Sequence, residues 1–275
     1  MPRVAVVSDV HGRAAELVPA AEGVDALLCL GDLIDFVDYD DPSGGILGRL
    51  FGAEAVGQFV GLRTQRRFDE ARELSRGLWE SLGEPREVVI QRVVDEQYAE
   101  LFAAFGTVAT SGVPVYLTYG NVDLPHLFPA HAADGVTVLD GQVVDIGGVS
   151  FGFVGGGLPT PMRTPMEIPE DVYAAKVDAV AGCEVLCSHL PPHVPMMVYD
   201  TRAGRYERGS AAVLDAIGRW RPRYVLSGHV HNPLVPEMWF GHCRVINVGH
   251  FRARGTPTVL SIDPDVAAQP DRKSA

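Results

Sequence analysis

Five apolar, strand-like runs in this chain each end in a histidine, a carboxylate or an asparagine, and that repeated ending constrains the fold more than any other feature. VAVVSDVHG delivers Asp9 and His11, ALLCLGDLID delivers Asp32 and Asp35, and VYLTYGNVD delivers Asn121 and Asp123. EVLCSHLPP then carries His189, and YVLSGHVHN carries His229 and His231. Residues just past the carboxyl ends of strands project into a crevice at one edge of an α/β sheet. If these ends converge, roughly six or seven oxygen and nitrogen donors meet in one place, a set suited to two metal ions and to hydrolysis.

Chance is a poor explanation for the set. Nine histidines in 275 residues is about one position in thirty, so four specified histidines coincide about once in a million before register freedom. His189 taken alone would read as an ordinary loop histidine; the shared strand-end context changes that reading.

At these positions the chain resembles the calcineurin-like metallophosphoesterases, whose pattern is D-x-H, G-D-x-x-D, G-N-[HCV]-[DE], a lone His, and G-H-x-H. Here it stands as Asp9-Val10-His11, Gly31-Asp32-Leu33-Ile34-Asp35, Gly120-Asn121-Val122-Asp123, His189, and Gly228-His229-Val230-His231. The resemblance implies a four-layer αββα sandwich with the metals at one end. It implies a first ion held by Asp9, His11 and His231, and a second held by Asn121, His189 and His229, with Asp32 bridging both. Such a donor set suits Mn, Fe, Zn, Co or Ni without selecting among them. The reaction implied is phosphoester hydrolysis by a hydroxide that bridges the ions.

One position departs from the commonest family pattern. Val122 stands where many relatives carry a histidine thought to assist the leaving group or to bind phosphate, and valine can neither donate nor accept a proton. The expectation is therefore phosphodiesters, or esters with acidic leaving groups, rather than alkyl phosphomonoesters. His250, in the turn Asn247-Val248-Gly249-His250, is a candidate proton donor in place of the missing histidine. Asp35 is expected to support the site by hydrogen bonding, and Asp123 to orient a neighbouring group. Arg163 reads either as a clamp on substrate or as a surface residue. A non-catalytic metal-binding scaffold is the alternative of a different class, but such descendants typically lose ligands, and all seven positions are filled here. An amidohydrolase-type site would need H-x-H on the first strand and a carboxylated lysine; the chain has D-x-H there and only Lys176 and Lys273.

Composition sets outer bounds. At 275 residues, 47% hydrophobic and 21% charged, the chain suits one large α/β domain or a domain with an insertion. No apolar run approaches the roughly 20 residues that span a bilayer. The N-terminus runs straight into the first strand without the apolar segment of a signal peptide, so cytoplasmic residence is expected. A net charge of −12 argues against a large nucleic-acid footprint. It leaves room for a small phosphorylated substrate, because bound cations would reverse the sign locally. Cys29, Cys183, Cys187 and Cys243 show no zinc-finger spacing and are read as reduced and structural.

Strands are expected near 3–8, 26–30, 114–118, 149–154, 184–188, 223–227, 244–247 and 257–262, with helices near 13–22, 170–181 and 209–219. The phosphoesterase domain should span 1–263, interrupted at about 44–110 by two or three helices docked beside the site, with a fraying polar tail over 264–275. Ile90, Val93, Val94, Gln97, Tyr98, Leu101, Phe102 and Phe105 share one helical face. The insertion's arginines (Arg63, Arg66, Arg67, Arg72, Arg76, Arg86 and Arg92) could reach substrate phosphate or a partner subunit in a homodimer. They are also accounted for by a solvated face with ion pairs such as Arg66 with Glu70.

Overall fold

The computed structural model describes residues 1–263; the tail expected over 264–275 lies outside them. In chain order the elements begin β1 (Arg3–Val7), α1 (Leu17–Ala20), β2 (Ala26–Cys29), α2 (Gly45–Thr64), α3 (Phe68–Glu80), α4 (Arg86–Thr110) and β3 (Val115–Leu117). There follow β4 (Val136–Val138), β5 (Gln142–Ile146), β6 (Val149–Val154), α5 (Glu170–Ala179), β7 (Val185–Ser188), α6 (Pro195–Val198), β8 (Tyr199–Asp200) and β9 (Arg205–Tyr206). The last are α7 (Ala211–Trp220), β10 (Tyr224–Ser227), β11 (Glu237–Phe240), β12 (Cys243–Asn247), α8 (Phe251–Arg254) and β13 (Thr258–Ser261). No helix among the described residues is long and apolar enough to cross a membrane.

The chain divides into two compact units, Met1–Leu33 with the chain from Leu101 onward, and Ile34–Glu100. The first holds two sheets. One runs β13-β1-β2-β3-β4, parallel except for β13; the other runs β11-β12-β10-β7-β6-β5, parallel except for its edge strands β11 and β5. Their facing sides share a single core, in which Val4, Val6, Leu28 and Leu260 of one sheet meet Phe151, Phe153, Val185, Leu226 and Ile246 of the other. Behind the six-stranded sheet, α5 and α7 bury Tyr173, Val177, Val213 and Ile217 against Leu186, Val225 and Val245. The outer face of the five-stranded sheet is covered too, since Ala5, Leu27 and Cys29 are fully buried. Strands buried on both faces explain the unbroken apolar runs, and the layers make the αββα sandwich.

Register positions the site. Val7 pairs with Cys29 and Cys29 with Leu117, so β1, β2 and β3 end level with one another. In the second sheet Val154, Ser188, Ser227 and Asn247 align in the same way. The residues that follow these ends therefore emerge at one edge of each sheet.

The helix expected over 13–22 is only the four-residue α1. Pro19 lies inside it and supplies no N–H to extend the ladder. The second unit is helical, with its own core of Leu47, Val56, Phe59, Ala71, Trp79 and Val89. α2 is interrupted at Gly52, whose φ of 80° is not helical. Arg67, not Arg66, pairs with Glu70, because Arg66 occupies a left-handed turn at φ 62° between α2 and α3. Arg72 pairs with Asp69 and Arg92 with Glu84, while Arg63 and Arg86 lie over the rings of Phe59 and Trp79. These contacts are the ordinary partners of a helical surface.

Candidate metal centre

Asp9, His11, Asp32, Asn121, His189, His229 and His231 all belong to the first unit, at the carboxyl ends of β1, β2, β3, β7 and β10. Three groups of side chains each bring their donor atoms within 4.8 Å of one another: Asp9 with His11 and Asp32, Asp32 with His189 and His229, and His11 with His231 and His250. Asp32 is common to the first two groups.

The backbone is bent to achieve this. Asp9, His11, Asp32 and His229 have φ values of 55°, 43°, 51° and 66°, a left-handed region that side-chain-bearing residues enter at a cost. Two glycines permit close approach. A Cβ on Gly120 would lie 2.0 Å from Asp32 Oδ1, and one on Gly228 would lie 1.8 Å from Ser8 Oγ. The glycine before Asn121 and the glycine before His229 are thus steric requirements of packing one strand end against another.

Buried hydrogen bonds then set each group. Asp123, fully buried, accepts Leu33 N–H at 2.9 Å and Gly120 N–H at 2.8 Å, tying the turn after β2 to the turn after β3. Asp32 Oδ1 accepts Val122 N–H at 3.1 Å, so Val122 serves through its backbone. Asp9 Oδ2 accepts His229 N–H at 3.0 Å. Asn247 links two loops: its Nδ2 donates to Gly228 O and Val230 O, both at 3.0 Å, and its Oδ1 accepts Gly249 N–H at 2.8 Å. Asp35 belongs to the second unit, where its backbone pairs with the Gln97 amide.

Several of the donor atoms face one another across short gaps. His189 Nδ1 lies 2.8 Å from Leu30 O; a carbonyl only accepts, so Nδ1 carries a proton, and the tautomer this selects has its lone pair at Nε2. That lone pair faces Asn121 Oδ1 at 3.1 Å and Asp32 Oδ2 at 3.5 Å. His11 Nε2 and His231 Nε2 oppose each other at 3.4 Å. His229 Nε2 is buried without a hydrogen-bond partner, and Asp9 Oδ1 has only the 3.4 Å contact with His231 Nε2. With bonds near 2.1 Å, two donors on one ion lie about 3.0 Å apart at a right angle and about 3.4 Å apart at a tetrahedral angle. The arrangement fits divalent cations.

Burial would raise the Asp9 carboxyl, but the hydrogen bond and charge of His231, with His189 and His11, outweigh it and hold Asp9 below the usual carboxylate range. Burial, helped by His189, pushes His229 down to about 4, leaving a neutral imidazole at pH 7. Burial also opposes charge on His231, yet the hydrogen bond and charge of Asp9 raise it. Asp123 is pushed up to about 6 by burial and by the charge of Asp32.

His250 stacks on His231, with centroids 3.9 Å apart and planes at 14°, and meets His11 edge-on at 5.6 Å. Burial first, then His231, lower it to about 3. Both His231 and His250 line a cavity of about 300 Å³ with Thr201, Asn232 and Pro233. Arg163 is exposed in the loop between β6 and α5, at φ 54°.

The sequence model of the calcineurin-like phosphoesterases matches residues 2–233. No curated protein matches by sequence. One solved crystal structure covers 96% of this chain and 100% of its own length at 17% identity, with a TM-score of 0.59. Another, TT1561 of Thermus thermophilus, covers 94% of this chain and 97% of its own at 14% identity, with a TM-score of 0.53. At such identities the two structures speak to the fold alone.

Proposed function

The chain belongs to the calcineurin-like phosphoesterases, and from that premise we propose that its seven strand-end donors hold two divalent cations for the hydrolysis of small phosphorylated substrates. Asp9, His11 and His231 would hold the first and Asn121, His189 and His229 the second, with Asp32 between them. The observation that carries this reading is that Asp32 belongs both to the group with Asp9 and His11 and to the group with His189 and His229.

Cations bound there supply positive charge against the phosphoryl oxygens and make hydroxide available near neutral pH. The chain's own residues supply orientation. Leu30 O fixes the His189 tautomer, and Val122 N–H and His229 N–H fix the carboxylates of Asp32 and Asp9. His250, beside the cavity that His231 also lines, is the proposed contact for the leaving group.

Val122 contributes no titratable side chain, so leaving groups that depart without protonation are favoured: diesters and aryl esters over alkyl monoesters. The experiment is metal analysis of purified protein together with rates on a bis-aryl phosphate, a mono-aryl phosphate and an alkyl monoester. About two ions per chain and the slowest turnover on the alkyl monoester are expected. Far fewer than two ions with no turnover would point to a scaffold, and a clear preference for the alkyl monoester would overturn the Val122 reasoning.

A further inference from the structure

Asn121 can present either its oxygen or its nitrogen to His189, and only the oxygen can bind a cation. The choice is made some forty residues further along the chain. Glu167 in the loop between β6 and α5 accepts hydrogen bonds from Thr160 N–H at 2.8 Å and from Thr164 Oγ1 at 3.0 Å, and also from the Thr160 hydroxyl. A carboxylate donates nothing, so the single hydroxyl hydrogen of Thr164 is committed to Glu167 and its oxygen is left as an acceptor. Asn121 approaches that oxygen at 3.1 Å and must do so with its Nδ2 amide donor. Its Oδ1 is then turned towards His189 Nε2, at 3.1 Å.

We propose that Thr164, held by Glu167, is a positioning residue that sets the amide orientation of Asn121 and so creates one ligand of the second cation. This inference rests on the ligand assignment proposed above. The loop is seated on Asn121 by its backbone as well. Met166 N–H donates to Asn121 O at 2.9 Å, Gly157 N–H donates to Met166 O at 2.9 Å, and a Cβ on Gly157 would come within 2.5 Å of Asn121 Cβ. The loop thus holds the residue's position and the Thr164 hydroxyl holds its polarity. Removing the hydroxyl leaves the amide in place but free to turn its nitrogen towards the cation.

The test measures Mn²⁺ affinity by titration against a competing chelator, with metal-free thermal melts as the folding control. Thr164→Val should weaken the second Mn²⁺ by about 10-fold or more, the range typical of groups that orient metal ligands. Thr164→Ser, which keeps the hydroxyl, should stay within about 2-fold. Asn121→Asp removes the choice of polarity, because both carboxylate oxygens accept; in that background Thr164→Val should change affinity by less than about 3-fold. Three results would overturn the inference. Thr164→Val could bind Mn²⁺ like the parent while Asn121→Ala binds it weakly. It could lose the same factor with Asn121→Asp as without it, which would mark a merely structural role. Or Asn121→Ala could bind Mn²⁺ like the parent, which would remove the ligand assignment of Asn121 along with this inference.

Discussion

Asn247→Ala should strongly destabilise the sandwich unit although the residue is not among the proposed cation ligands. Asn247 is 4% exposed at the end of β12, and its side chain makes three hydrogen bonds of 2.8 to 3.0 Å to the loops that carry His229, His231 and His250. Each such bond contributes about 1 kcal/mol net, and a buried donor left unpaired costs about 1–3 kcal/mol more. Three lost bonds and the orphaned Gly249 N–H add up to about 4 kcal/mol, within a factor of two. For a unit of this size 1 kcal/mol moves Tm by about 2–4 °C, so calorimetry of the metal-free protein should show a fall on the order of 10 °C. Asn247→Asp keeps the acceptor for Gly249 but turns a carboxylate towards two carbonyl oxygens, and should do at least as badly. Hydrogen exchange gives a local readout: the amides of β10 and β12 should lose protection before those of α2 and α3. A melt within about 3 °C of the parent would refute the view that this amide joins the two loops.

Two further outcomes follow from the same geometry. Gly120→Ala places a methyl carbon 2.0 Å from Asp32 Oδ1, so Asp32 must move; Mn²⁺ affinity should drop at least 10-fold with a smaller loss of stability, and parental affinity would contradict the close approach. In metal-free protein, burial holds His229 and His250 at about 4 and about 3 against an unperturbed 6.5. The unfolded chain binds those protons first, so the contribution of these two residues is full above about pH 6.5 and is lost as pH falls towards 3, with the raised His231 and Asp123 acting in the opposite sense. Urea midpoints across this range check the slope, which His229→Asn should flatten.

The candidate donor set was legible because each donor follows a strand buried on both faces, where an apolar run stops at a polar residue. The glycines before Asp32, Asn121 and His229 were legible as motif letters, and the structure supplies the steric reason for each, since a Cβ on Gly31 would lie 2.1 Å from Gly120 N. Strands that are short and half exposed left no such trace. β4, β5 and β11 each carry exposed residues, and the two-residue β8 and β9 are too short to show alternation. The spacing over Ile90 to Phe105 is indeed one helix, but α4 continues past Glu100 into the sandwich unit, a division that periodicity cannot reveal. Arg66 and Arg67 differ only in which of them meets the left-handed turn. Thr164 gave no signal at all: its partner lies 43 residues away, and a threonine in a polar loop has no pattern of its own.

The paired donors His11 and His231 stand 220 positions apart and come from different sheets. A ribosome-bound chain that has not yet released β10 lacks one proposed donor to each ion, His231 for the first and His229 for the second. Full coordination of the proposed ions would therefore await pairing of β10 in the second sheet. Occupancy would report completed assembly, and the ions would then clamp together two layers that covalent connectivity joins only distantly.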